Sequence, residues 1–137
     1  MSHMNSGEIE ARLRAFFDAD PRGAKAVYLF GSAARGDGRE DSDVDVAILG
    51  GGGPPQALSD LPIQLKGDLE DLLGRPVDVI LLEGAPVDLV HRVLRDGKLI
   101  IDLDPSARIR FEVKARNEFF DLEPFLRRYR EGKAKAP

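Results

Sequence analysis

Three aspartates and one Gly-Ser pair are the residues whose types and spacing could do chemistry in this chain. The stretch from Leu29 to Leu49, LFGSAARGDGREDSDVDVAIL, sets Gly31-Ser32 directly after one apolar run and Asp43-Val44-Asp45 at the start of the next. A later apolar run, VDVILL, carries Asp78. Side chains of a strand alternate between faces, so Asp43 and Asp45 project from one face with Cα atoms roughly 7 Å apart. Val44, Val46 and Ile48 take the other face and belong in the core. Two carboxylates on one face of an apolar strand repel each other and resist burial, and both effects raise their pKa values unless positive charge sits between them. A divalent cation with oxygen ligands answers both problems. Asp78, between Val77 and Val79, repeats the pattern. If its strand neighbours that of Asp45, three carboxylates share one face. Such a set suits two Mg2+ ions about 3.5–4 Å apart, the arrangement that stabilises attacking and leaving oxygens at phosphorus.

The Gly-Ser pair supplies what such a reaction needs beside the acids. Gly31 lets backbone approach a ligand closely. Ser32 offers a hydroxyl and an N–H, and a short helix starting there would aim free N–H groups at phosphate oxygens. Arg35 adds a cation for the same phosphates. Rival motifs fail on inspection. Gly31-x4-Gly36 begins like a P-loop but continues with Asp37 where lysine is needed. Asp41, Asp43 and Asp45 imitate a calcium loop, whose sixth position would be Val46 rather than glycine and whose twelfth would be Gly52 rather than glutamate. A Gly-Ser turn alone is ordinarily just a turn, and an Asp-x-Asp alone is ordinarily a solvated strand edge; the combination with Asp78 carries the reading.

The elements that must position these residues are legible in the apolar pattern. Ser6 is a helix cap for Ile9, Leu13, Phe16 and Phe17, with Pro21 and Gly23 ending the helix. Strands are expected at 26–30, 44–49, 76–82 and 98–103. A flexible break at 50–55 precedes a helix over 59–73, with Pro62 in its first turn and a stripe of Leu58, Leu61, Leu65, Leu69 and Leu72. Gly74 is its C-terminal cap. Pro86 starts a short helix that Gly97 stops and on which His91 is a surface or packing residue. Asp104-Pro105 opens a long last helix that Pro124 should kink or break. Alternating helices and strands imply a sheet with helices packed on it.

At 137 residues the chain suits one domain with a single core. The first four residues, MSHM, read as a cloning scar, which leaves His3 without a role. Residues 5–104 form the core unit and 105–137 a helical segment packing on it, its last residues flexible. No cysteine is present, which excludes disulfides, thiolate metal sites and thiol nucleophiles. Neither a signal peptide nor an apolar run of membrane-spanning length is visible, so a cytoplasmic protein without a membrane partner is the expectation. The net charge of −4 argues against a general nucleic-acid binder. The charge is uneven: residues 105–137 hold nine basic and five acidic residues, net +4, against eleven and nineteen in residues 1–104, net −8. An acidic body with a basic tail suggests a site that needs carboxylates and a tail that meets something else.

Gly31-Ser32, ten intervening residues and then Asp43-Val44-Asp45 resemble the signature of the DNA-polymerase-β-like nucleotidyltransferases. GSAARGDGREDSDVDVAIL is similar to the compact subgroup called minimal nucleotidyltransferases, and VDVILLEGAP to that family's third-acid strand. The resemblance implies an α+β fold with a small mixed sheet flanked by helices, Mg2+ held by Asp43, Asp45 and Asp78, and ATP whose triphosphate lies on Gly31 and Ser32. In it Asp78 completes the catalytic metal site and helps activate the acceptor hydroxyl. It further implies an antitoxin, in a hetero-oligomer with a HEPN-domain ribonuclease toxin, that transfers AMP to a tyrosine of that toxin. Phe119, Phe120, Phe125 and Tyr129 are candidates for the contact. Two alternatives stand beside it: an antitoxin that neutralises by binding alone, and a nucleotidyltransferase acting on a small-molecule hydroxyl.

Overall fold

The computed structural model describes residues 4–36, 42–50 and 55–135. Among the described residues five helices and four strands alternate: α1 Ser6–Ala19, β1 Ala24–Phe30, α2 Ser32–Arg35, β2 Val44–Gly50, α3 Pro55–Leu73, β3 Val77–Leu81, α4 Val87–Asp96, β4 Lys98–Asp102 and α5 Pro105–Lys135. The strands form one mixed sheet in the order β3-β2-β1-β4. β1 runs antiparallel to both β2 and β4, whereas β2 and β3 are parallel and are joined through α3. A parallel pair requires such a crossover, and α3 supplies it.

The alternation read in β2 sorts residues onto the two faces of the sheet. Val27, Leu29, Val44, Val46, Ile48 and Val77 pack with Ile9, Leu13 and Phe17 of α1 and with Leu61, Leu65, Leu69 and Leu73 of α3. On the other face Ala26, Tyr28, Ala47, Leu49 and Leu82 meet Val90 and Val93 of α4, with Phe111 and Ala115 of α5 alongside. Asp45 and Asp78 have the parity of this second face. α5 is fastened there by a polar cluster: the Tyr28 hydroxyl donates to Glu112 at 3.0 Å, and Arg108 lies 3.0 Å from Glu112 and 2.9 Å from Asp102. Burial beside Glu112 pushes the Tyr28 hydroxyl pKa well above its ordinary value.

Several expectations shift. The cap of α1 is Asn5, whose side-chain oxygen accepts the Glu8 N–H at 2.9 Å, one residue earlier than expected. Ser6 is the first helical residue instead, and its hydroxyl donates to the Ala33 carbonyl, tying α1 to α2. α3 begins at Pro55, so Pro62 lies in the helix interior rather than in its first turn. Pro55 takes the first position, where a fixed φ and a missing N–H cost nothing. Leu73 extends the buried stripe of α3, because a 3.6-residue period carries it from Leu69 to Leu73, and Leu72 packs half-buried beside it. The Leu58 side chain and the break at 51–54 lie outside the described residues, while Gly50 belongs to β2. α5 continues through Pro124 as one helix and is not broken by it. Proline loses one hydrogen bond there, which a largely exposed helix can make up with water. Gly74 caps α3 as expected, at φ +68° with its N–H on the Glu70 carbonyl at 2.8 Å, and Asp104 accepts the Ala107 N–H at 3.1 Å. His91 stacks on Phe119, with ring centroids 3.6 Å apart and planes 3° from parallel. No helix among the described residues is long and apolar enough to cross a membrane.

Candidate active site

One end of the sheet gathers the predicted residues. Asp45 is opposite Phe30 on the antiparallel side and opposite Asp78 on the parallel side. In register, with matching parity, the Asp45 and Asp78 side chains leave the same face of adjacent strands. Asp43 comes two residues before Asp45, just ahead of β2, and is exposed. Asp45 is half-buried. Its carboxyl pKa is raised, first by burial and then by the charges of Asp78 and Asp43, with Arg35 pulling weakly the other way. Asp43 and Asp78 are therefore both near enough for their charges to be felt at Asp45. No charged side chain is buried among the described residues, so no internal lysine or arginine neutralises the group.

Gly31 joins β1 to α2 and bridges the two halves of the sequence pattern. Its φ of +75° and ψ of −155° belong to a region that glycine alone occupies comfortably. A Cβ built on it would fall 2.2 Å from Asp45 Oδ2. The backbone turn and the carboxylate are thus in direct contact, and hydrogen is the only substituent that fits between them. Ser32, the first residue of α2, is half-buried and lines a cavity of about 340 Å3 with Asn5, Ser6, Gly36 and Arg75. Arg35 ends α2, exposed, with its charge felt at both Asp45 and Asp96. A second cavity of about 330 Å3, between Leu82, Val87 and Phe111, lies beyond the far end of β3, roughly four strand residues from Asp78, and takes no part in this arrangement.

The residues present fit a divalent cation. They are hard oxygen donors, they destabilise one another when ionised, and a glycine clears space at the most buried of them. Among the described residues no three acidic or histidine side chains stand close enough together to hold a metal ion, so the three acids do not form a ligand set in this structure. Asp43, Asp45 and Asp78 would hold the metal as a set open to solvent and to phosphate oxygens, the form in which Mg2+ is usually bound.

Sequence reasoning missed the supports of this site. Arg75 donates from Nε and Nη2 to the Ser42 carbonyl at 3.0 and 2.6 Å. Lys66 and Glu70 grip the main chain of Val77. All three are ordinary charges on or just after a helix, and only the packing of α3 against β3 gives them a place.

Residues 13–106 match the family model described as Polymerase beta, Nucleotidyltransferase. The chain belongs to the polymerase-β nucleotidyltransferase family. The match spans the whole sheet and every residue of the candidate site. Within the nucleotidyltransferases, a protein of Methanocaldococcus jannaschii named as a candidate protein adenylyltransferase is 38% identical over 75 residues, covering 55% of this chain and 77% of that one. The protein adenylyltransferase MntA of Thermococcus cleftensis is 32% identical over 79 residues, covering 54% and 72%. Among solved structures, a chain from the complex of a tri-AMPylated Shewanella oneidensis HEPN toxin with its MNT antitoxin superimposes with a TM-score of 0.70 at 21% identity. That likeness covers 96% of this chain and 99% of the other, and it is one of fold. It extends through α5, beyond the family match.

Proposed function

We propose that this nucleotidyltransferase is an antitoxin that moves AMP from ATP to a tyrosine hydroxyl of a helical HEPN-type toxin and thereby silences it. The observation that carries the proposal is the in-register pair Asp45–Asp78 against the Gly31 turn. The names of the two curated relatives and the assembly of the structural neighbour support the choice of a protein acceptor.

Asp43, Asp45 and Asp78 would hold Mg2+, which when bound supplies positive charge to oxygens around phosphorus. Gly31 leaves room for the triphosphate against the backbone, while Ser32 and Arg35 orient it. The acceptor hydroxyl attacks the α-phosphorus, a new O–P bond forms, and the bond to pyrophosphate breaks. Asp78 lies on an edge strand and is exposed, where it can accept the hydroxyl proton from an incoming protein. Label from the α-phosphate of ATP should appear on the toxin with the wild type, and be lost with Asp43→Asn combined with Asp45→Asn. A toxin labelled equally by both proteins would refute the assignment.

A second reading, neutralisation by binding alone, is favoured by α5, where Phe120, Phe125 and Tyr129 are 62–67% exposed. The same double variant separates the readings. Under the catalytic account it still binds the toxin but no longer protects a cell that expresses it.

A further inference from the structure

The three acids of the candidate site are not equally supported by the sheet. Asp45 sits inside it, paired to Phe30 on one side and Asp78 on the other. Asp43 precedes β2, and Asp78 belongs to an edge strand. Each of these two less supported acids follows a peptide whose carbonyl is held by a cationic side chain. The Ser42 carbonyl accepts two bonds from Arg75, at 3.0 and 2.6 Å. The Val77 carbonyl accepts from Lys66 Nζ at 2.8 Å. The Val77 N–H donates to Glu70 Oε2 at 3.1 Å, and Lys66 and Glu70 themselves pair at 3.1 Å across one turn of α3. The Glu70 carboxyl pKa is lowered, first by that Val77 N–H and then by Lys66, so it stays an acceptor at neutral pH. A peptide is planar from one Cα to the next, so fixing the carbonyl of residue 42 or 77 fixes the Cα of Asp43 or Asp78. Charge-assisted bonds are among the stronger ones available for this.

We propose that Arg75 is the positioning residue of Asp43, and that the Lys66–Glu70 pair is that of Asp78. Both act through the preceding carbonyl. The inference rests on the metal-binding role given above to the three acids. On this proposal residues 66–75 of one helix–turn unit set the spacing of two acids, one just ahead of β2 and one on β3. Outer supports of metal ligands typically change metal affinity about 10–100-fold when removed.

Mn2+ binding, followed by the electron paramagnetic resonance of the free ion, tests this on the full chain with no catalysis required. Arg75→Met and Lys66→Met should each raise the Mn2+ dissociation constant by about 10–100-fold, with far-UV circular dichroism and melting close to wild type. Arg75→Lys, which can give the carbonyl one donor, should recover part of the loss. In an Asp43→Asn background Arg75→Met should cost little more, because its effect runs through Asp43. Lys66→Met should keep its full effect there. Wild-type affinity in folded Arg75→Met and Lys66→Met overturns the proposal, as does an Arg75 effect that is undiminished without Asp43. If Arg75→Met fails to fold, Arg75→Lys decides: weakened Mn2+ binding supports the proposal, and unchanged binding overturns it. A wild type that binds Mn2+ but never transfers AMP would remove the proposed function and leave this inference standing. AMP transfer by the wild type with unaltered Mn2+ affinity in the variants would do the reverse.

Discussion

At the scale of single residues the account turns on Gly31 and Asp45. Gly31→Ala asks an L-residue to adopt φ +75° and drives a methyl group to 2.2 Å from the Asp45 carboxylate. We expect a loss of stability of about 1–3 kcal/mol from the backbone alone and, since the carboxylate must move, loss of most AMP transfer. Thermal melting and turnover check the two effects separately. Asp45 also makes a signed prediction. Its folded-state pKa is raised, so the native state binds that proton more tightly than the unfolded chain does. The group's relative stabilisation is present at low pH and is lost as pH rises from the ordinary carboxylate range through the folded pKa. In a chelating buffer at neutral pH, Asp45→Asn should therefore melt above wild type, and the gap should close on acidification. Added Mn2+ should raise the wild-type melting temperature and leave Asp45→Asn nearly unmoved. The shared face of Asp45 and Asp78 was legible in the sequence, because strand parity gives it once the two strands are neighbours. Arg75, Lys66 and Glu70 were not, because a charged residue on a helix says nothing about which distant carbonyl it will meet.

At the scale of elements, two helices decide whether the acidic end of the sheet is held. α3 covers one face through Leu61, Leu65, Leu69 and Leu73. Leu65→Ala, at a fully buried position, should cost about 2–5 kcal/mol in denaturant unfolding. α5 is fixed to the other face by Tyr28, Glu112, Arg108 and Asp102. Tyr28→Phe removes one of those bonds at an expected cost of about 0.5–1.5 kcal/mol. The wild-type phenol should resist ionisation well past its ordinary titration range, as read by absorbance. The strands were readable to within a residue or two because each is a short apolar run bounded by glycine, proline or aspartate. Helix starts were less so. Asn5 and Ser6 are both good caps, and which one serves depends on whether the Ser6 hydroxyl has a better partner, here the Ala33 carbonyl. Pro55 and Pro62 posed the same ambiguity for α3, and composition alone could not show that the helix runs through the second proline. Pro124 misled in the same way in α5.

At the scale of the whole molecule, an acidic sheet end and a long helix with a net-basic sequence would, under the proposed function, divide the work between chemistry and recognition. His91 takes Phe119 into the body, whereas Phe120, Phe125 and Tyr129 stay exposed on a helix that outruns the core. Phe125→Ala with Tyr129→Ala should weaken toxin binding by roughly tenfold or more, if these rings act as aromatic anchors, without altering melting, and titration calorimetry reads that directly. The uneven charge was visible in the sequence, but which aromatics face outward depends on where α4 ends beneath α5, and that is a property of packing. The most direct trial of the central claim is the intact mass of the purified HEPN toxin after incubation with this protein, ATP and Mg2+. The account predicts additions of one or more AMP-sized increments with the wild type and none with Asp43→Asn/Asp45→Asn. An unmodified toxin that is nonetheless neutralised by the wild type would contradict it.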